Sequence, residues 1–304
     1  MLYKRLPLSV RERIGRGLIA GLHARQRKEA RLVEKTITIG GATIPYADSE
    51  RGTETILLLH GFAGDRTNFY AIAKYLSRSY RVLIPDLPPF GEALPHDSPA
   101  TVEAQSEIVT QFLDALELQR VHLLGNSMGG HVAAFAAWKL KKDRVASLAL
   151  LCPSGVDMPQ LSRGGKMIED GKIVFAMRTT EDLARFYTLL FKRVPRGISL
   201  VEDAIIAREG PRAALIERWF GDYYAQWNKL EPALASIDVP TFILWGDEDG
   251  IIDRSCLPIF QQIPRSRAVV LQGVGHLPMM EAPHETALHY RSFLQDVQRT
   301  SLQP

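Results

Sequence analysis

Ser127 stands between two glycines in Gly125-Asn126-Ser127-Met128-Gly129, with a third glycine at Gly130. The apolar run Val121-His122-Leu123-Leu124 precedes it, and Val132, Ala133, Ala136, Ala137 and Leu140 follow at helical spacing. The serine therefore falls in a strand-to-helix turn, where the chain reverses within a few residues and needs positions without bulk at Gly125 and Gly129. Such a turn presents Oγ at the carboxyl edge of a sheet. The unpaired N–H groups of the helix start then point at any negative charge developing beside it. A bare G-x-S-x-G arises by chance in roughly one in ten chains of this length, so the flanking strand and helix carry the signal.

A serine hydroxyl is a poor nucleophile at its own pKa. It needs a base to take its proton, and an imidazole in that role needs a carboxylate to hold its tautomer and steady the imidazolium. His276 closes Gly273-Val274-Gly275-His276 after one apolar run, and Asp249 closes Gly246-Asp247-Glu248-Asp249 after another. Asp247 competes with Asp249 for the carboxylate role, its other use being a turn or helix-cap acceptor. The eight histidines include no H-x-x-x-H or H-E-x-x-H spacing, so metal catalysis is not indicated.

These residues need a scaffold that brings three loops together. Alternation over 35–39 and 42–46 around Gly40 and Gly41 reads as a hairpin at a sheet edge. Continuous apolar runs at 55–59, 81–85, 121–124, 145–151, 239–245 and 268–271 read as strands buried on both faces. Helical patterns over 68–76, 101–116 and 285–297 lie between and after them. The alternation implies an α/β fold with a mostly parallel, doubly wound sheet. Residues 156–230 break the rhythm with helical patterns at 181–191, 200–207 and 213–220 and no buried strand. This stretch is expected to be a helical cap or lid over the sheet's carboxyl edge. Its aromatics Trp219, Phe220, Tyr223, Tyr224 and Trp227 either line an acyl pocket or form the cap's own core, and the second use is the commoner. The expected division is thus 1–34 as an N-terminal helical segment, 35–155 with 231–304 as the core, and 156–230 as the cap.

Four motifs in register, His60-Gly61-Phe62, GNSMGG, Trp245-Gly246-Asp247-Glu248-Asp249 and Gly273-Val274-Gly275-His276, resemble the serine hydrolases of the α/β-hydrolase fold. The resemblance runs from about residue 35 to 297. It implies Ser127 as nucleophile, His276 as base and, from the W-G-x-x-D pattern, Asp249 as the acid. It also implies backbone N–H groups of Phe62 and Met128 as an oxyanion hole, with His60 forming a turn and His131 buried behind the site. HGFAG, Cys152-Pro153-Ser154-Gly155, WGDEDGIID and GVGHLPMMEAP look most like the monoacylglycerol-lipase-like members. Those members are membrane-associated through an N-terminal segment and cleave acylglycerol esters. The implied activity is a cofactor-free esterase or lipase acting on acylglycerol-type or medium-chain esters. One departure stands in Asp86-Leu87-Pro88-Pro89-Phe90-Gly91, where Pro89 replaces a frequent glycine and changes the wall near Phe90. The rival readings are a carbon–carbon bond hydrolase of ring-cleavage dienoates and a hydrolase-like ligand receptor. Phe62-Ala63-Gly64 after the His-Gly pair counts against the dienoate hydrolase, and Ser127 counts against dehalogenases and epoxide hydrolases, which place aspartate at the elbow.

The chain has 304 residues, 46% apolar and 23% charged, the composition of a folded protein with a large core. Its net charge of +3 hides an asymmetry: residues 1–35 carry +7 and the remainder −4. Ser9 is the expected N-cap of a basic helix, along which Val10, Ile14, Leu18 and Leu22 form one apolar face. That helix suits either an anionic membrane surface, with contact through residues 9–28, or packing against the protein's own flank. No run approaches the ~20 apolar residues of a membrane-spanning helix. Residues 17–22 are too short, and too soon followed by Arg25, for a signal-peptide core. The mature chain is expected to begin near Met1 and to reside in the cytoplasm, with an ester or lipid rather than a nucleic acid as its partner. Cys152 and Cys256 have no paired spacing and call for neither a disulfide nor a metal.

Overall fold

The computed structural model describes residues 3–95 and 97–301. The expected chain start at Met1 and the last residues of the expected core, 302–304, lie outside the described residues. Eight strands form one sheet: β1 Val33–Ile39, β2 Ala42–Asp48, β3 Thr55–Leu59, β4 Arg81–Pro85, β5 Val121–Asn126, β6 Val145–Leu151, β7 Thr241–Gly246 and β8 Ser266–Leu271. Their order is β1-β2-β4-β3-β5-β6-β7-β8. β2 runs antiparallel to both neighbours and every other pairing is parallel. The β1–β2 hairpin turns through Gly40 (φ 56°) and Gly41 (φ 84°), the pair of positive φ angles that a two-residue hairpin loop requires.

Every residue of β3, β5, β6 and β7 is buried, which is why their sequences read as unbroken apolar runs. The helices that cover them are α1 Leu8–Ala30, α2 Tyr70–Leu76, α3 Val102–Ala115, α4 Met128–Arg144, α5 Arg163–Glu169, α6 Thr180–Leu190, α7 Glu202–Glu209, α8 Ala213–Tyr224, α9 Leu257–Phe260, α10 Pro278–Glu281 and α11 Pro283–Ser301. One apolar core joins α3, α4 and the helices between β6 and β7; a second lies across the sheet with α2 and α11. Strands thus fold against both layers, as in a doubly wound sheet. Each fully buried Leu or Ile of β3 contributes roughly 1.5–3 kcal/mol relative to exposure.

Between β6 and β7 the chain makes α5 to α8 and no strand among the described residues. α5 escaped the sequence reading because Arg163-Gly164-Gly165-Lys166 carries no apolar period. Its start is fixed instead by Ser162, whose hydroxyl accepts from the Gly165 N–H at 2.9 Å.

α1 differs from expectation at its start, and it packs on the protein's flank by a face other than its apolar stripe. Ser9 is not the cap: the helix opens at Leu8 with Pro7 in the cap position and no side-chain cap bond. The Pro7 carbonyl accepts from the Val10 and Arg11 N–H groups, so the first turn forms without a hydroxyl. At the other end Arg31 adopts φ 55° and its N–H returns to the Arg27 carbonyl, a left-handed cap. α1 lies on α7 and α2 by its small and polar face. A Cβ on Gly15 would come within 2.8 Å of the Ala204 Cβ. Arg11 pairs with Asp203 at 3.1 Å, and Tyr3 donates to the Leu200 carbonyl at 2.8 Å. The apolar stripe of Ile14, Leu18 and Leu22 faces outward, with 38%, 47% and 53% of each residue exposed.

Candidate active site

Ser127 occupies the one-residue gap between β5 and α4, at φ 56° and ψ −123°. A non-glycine residue held there costs on the order of 1–3 kcal/mol and persists only because its surroundings fix it. The Ser127 N–H donates to the Leu151 carbonyl at 3.0 Å, and the Ser127 carbonyl accepts from Gly130, His131 and Ser154. The flanking glycines are required by contact: a Cβ on Gly125 would overlap the Gly129 carbonyl oxygen, and one on Gly129 the Leu59 carbonyl oxygen.

His276 and Asp249 arrive on the loops after β8 and β7. His276 Nδ1 lies 2.8 Å from Asp249 Oδ2, with both side chains almost wholly buried. The other oxygen, Oδ1, accepts from the Ile251 and Ile252 N–H groups at 2.8 and 3.0 Å. Because the carboxylate only accepts, the proton between the pair sits on Nδ1 and Nε2 is left as a free acceptor. The His276 backbone is held twice more, its N–H donating to Leu190 at the end of α6 and its carbonyl accepting from Asn126 Nδ2 at 3.1 Å. Asp247 is engaged elsewhere: its Oδ1 accepts from Gly273 N–H at 2.6 Å and Val274 N–H at 3.4 Å, which fixes the loop carrying His276.

The turn after β3 closes over Ser127, since a Cβ on Gly61 would stand 3.1 Å from the Ser127 Cβ. Among the described residues neither the Phe62 nor the Met128 N–H donates to another group. Two free donors thus flank the serine. His60 is a structural member of this turn: its Nε2 accepts from the Leu87 N–H at 2.9 Å and its Nδ1 donates to the Gly61 carbonyl at 2.8 Å. Both ring nitrogens are used, which removes it as a base. His131 is buried one turn into α4, with Nδ1 3.1 Å from the Tyr223 hydroxyl, and burial pushes its imidazole down to about 3.

A cavity of about 150 Å³ opens on Ser127 and His276. Its apolar wall comes mainly from α6 and the segment before it: Phe175, Met177, Leu183, Phe186 and Leu190. The α8 aromatics do not line it. Phe220 and Tyr223 pack instead on the Phe62 ring, with centroids at 5.6 and 5.9 Å, and Trp219 packs on Phe90 at 5.4 Å. Phe90, beside Pro89, is buried against Phe62. The wall near Pro89 is thereby a layer behind the loop after β3 and not a face of the cavity.

Cys152 lies beneath the pair, at φ 45°, and its sulfur, the Asp249 carboxylate and the His276 ring have donor atoms within 4.8 Å of one another. Burial, and then the Asp249 charge, raise the Cys152 thiol well above its ordinary value. A thiol held protonated is a poor metal ligand, and Asp249 is already filled by His276 and two backbone donors. The sequence reading missed Cys152 and Asn126 as contacts of this site, although both stand within motifs it quoted. It also missed the polar residues of the cavity, Asn68, Tyr187, Arg208 and Glu209, which no local spacing connects.

A family model for the alpha/beta hydrolase fold matches residues 54–283. Lipase 1 of Psychrobacter immobilis is 32% identical over 281 residues, spanning 88% of this chain and 86% of its own length. The monoacylglycerol lipase ABHD6 of Mus musculus is 31% identical over 265 residues, spanning 81% and 77%. Among solved structures, a membrane phospholipase A described as a novel bacterial virulence factor superposes with a TM-score of 0.89 at 33% identity, covering 94% of this chain and 93% of that one.

Proposed function

The chain belongs to the alpha/beta hydrolase fold family as a serine ester hydrolase, and we propose that Ser127, His276 and Asp249 carry its chemistry through an acyl-enzyme. The observation that carries the reading is the His276–Asp249 contact of 2.8 Å on the cavity that Ser127 also lines. In this mechanism His276 Nε2 takes the Ser127 proton as Oγ attacks the ester carbonyl. The carbonyl oxygen becomes an oxyanion that accepts from the Phe62 and Met128 N–H groups, donors already fixed before charge develops. The imidazolium then gives its proton to the departing alcohol and the acyl group remains on Oγ. Water enters, loses a proton to His276 and attacks the acyl carbon, and the acid leaves as Ser127 recovers its proton. Asp249 stays ionised throughout and holds the tautomer.

The substrates are acylglycerol-type or medium-chain esters. The apolar wall from Phe175 to Leu190 supports an acyl chain there, and the relatives' names support a lipid. Residues 156–230 act as a cap, since α6 and α7 both contribute to the cavity wall. The outward stripe of Ile14, Leu18 and Leu22, with Arg13, Arg25 and Lys28 also exposed on α1, supports peripheral contact with an anionic membrane. No helix of the described residues is long and apolar enough to cross one.

Hydrolysis of p-nitrophenyl esters across chain lengths by the wild type, Ser127→Ala, Asp249→Asn and Asp247→Asn tests the assignment. Ser127→Ala and Asp249→Asn should each lower kcat by on the order of 10⁴. Asp247→Asn should stay within about tenfold of wild type, since asparagine keeps an oxygen acceptor for the Gly273 and Val274 N–H groups and His276 keeps Asp249 as its partner. Turnover that survives Ser127→Ala, or an Asp247→Asn loss exceeding that of Asp249→Asn, overturns it.

A further inference from the structure

The cavity wall carries a polar cluster that the acyl-transfer chemistry does not use. Arg208, on the last turn of α7, lies with Nε 2.6 Å from Glu209 Oε1 and Nη1 3.5 Å from Asp65 Oδ2. Asp65 is itself anchored, accepting from the Thr67 N–H at 2.9 Å, on the loop that carries the Phe62 N–H. Arg208, Glu209, Asn68 and Tyr187 all line the same cavity as Ser127. Glu209 is 7% exposed, so this is a built-in charge rather than a surface one. The Tyr187 hydroxyl lies in the field of both Arg208 and Glu209, and burial pushes it up to about 12.

The charge count decides what such a cluster can hold. One guanidinium faces two carboxylates, Glu209 on the cavity and Asp65 outside its lining, so its positive charge is already compensated and an incoming anion meets no net positive charge there. The donor and acceptor inventory points the same way. The guanidinium offers five N–H donors, more than two contacts consume, the carboxylates only accept, and the Tyr187 hydroxyl and Asn68 amide do both. A neutral diol, which donates and accepts at each hydroxyl, matches that mixture, whereas a phosphate only accepts and adds charge.

We propose that Arg208, Glu209, Tyr187 and Asn68 form the subsite for the alcohol portion of the ester and select an uncharged polyol headgroup over a phosphate-bearing one. The inference rests on the ester-hydrolase reading and adds to it the residues that choose the leaving alcohol. Arg208 acts here as a specificity residue, distinct from the groups that touch the reacting carbonyl.

The test uses the full chain and hexanoyl esters that differ only in the alcohol: monohexanoylglycerol, methyl hexanoate, 1-hexanoylglycerol 3-phosphate, and p-nitrophenyl hexanoate as the common reference. Wild type should favour the glycerol ester over the methyl ester by about tenfold in kcat/KM, the scale of one or two net hydrogen bonds, and disfavour the phosphate ester by at least about tenfold. Arg208→Ala should lower kcat/KM on the glycerol ester, through KM, at least about threefold more than on the methyl and p-nitrophenyl esters, bringing the glycerol and methyl esters within about threefold of each other. Glu209→Gln should raise the relative rate on the phosphate ester. Equal losses on all four substrates in Arg208→Ala mark the cluster as purely structural and overturn the proposal, as does a wild-type preference for the phosphate ester. Unchanged p-nitrophenyl hydrolysis in Ser127→Ala instead overturns the ester-hydrolase reading on which the proposal stands.

Discussion

His131 shows how much a single buried side chain can govern. Its ring is fully buried, that burial pushes the imidazole down to about 3, and among the described residues its hydrogen-bond partner is the Tyr223 hydroxyl, through Nδ1. The unfolded chain takes up a proton there at the ordinary imidazole value of about 6.5. Between those two values the unfolded state holds a proton that the folded state lacks. His131 therefore contributes stability that is complete above pH ~6.5 and is lost as pH falls, at about 1.4 kcal/mol per pH unit. Urea unfolding of wild type and His131→Gln should show the wild type losing about 2 kcal/mol more between pH 6.5 and pH 5. His122, also lowered by burial, adds slope of the same sign to both proteins. Parallel pH profiles would contradict the assignment. At this scale the sequence singled out Ser127, Asp249 and His276 because each follows a strongly apolar strand, and the structure places Ser127 and His276 on one cavity with Asp249 in contact with His276 behind it. What separates Asp249 from Asp247 is where two neighbouring carboxylates point, which the apolar pattern does not encode and only the W-G-x-x-D resemblance anticipated. The Arg208–Asp65 contact joins residues 143 apart in sequence, and no periodicity records it.

Elements were legible where one face or both faces are apolar. β3, β4 and β6 have the bounds that their apolar runs predict, and β1 and β2 extend the expected hairpin by a few residues at its open end. α1 shows the limit of such reading. Periodicity found the stripe of Ile14, Leu18 and Leu22 but not the direction it faces, because the buried side of this helix is made by Gly15, Ala30 and ion pairs rather than by leucines. α1 touches α7, and α7 carries Arg208 and Glu209, so the exposed stripe lies one helix away from the cavity wall. Leu18→Glu with Leu22→Glu should weaken co-sedimentation with phosphatidylglycerol vesicles at least about tenfold, given roughly 1.5–3 kcal/mol for each buried leucine. Hydrolysis of a soluble p-nitrophenyl ester should be unaffected. Equal sedimentation of the variant and the wild type would remove the membrane role.

Across the whole molecule, the parallel sheet collects its loops at one edge, and that geometry brings together three residues drawn from positions 127 to 276. The class of fold followed from the strand–helix alternation. The tertiary partners did not, because each is set by how α6, α7 and α8 settle over that edge. α8 turned its aromatics onto Phe62 and α6 supplied the cavity wall, an exchange of roles that amphipathic patterns alone leave open. Everything proposed for this site turns on Ser127 as the nucleophile. The direct measurement is peptide mass spectrometry after treatment with an alkyl fluorophosphonate, in which the attacking oxygen displaces fluoride and keeps the phosphonyl group. One phosphonyl group per chain is expected on the peptide carrying Ser127, with loss of ester hydrolysis in proportion and no labelling of Ser127→Ala. Inactivation with the label on another residue, or full activity with Ser127 labelled, would contradict that role.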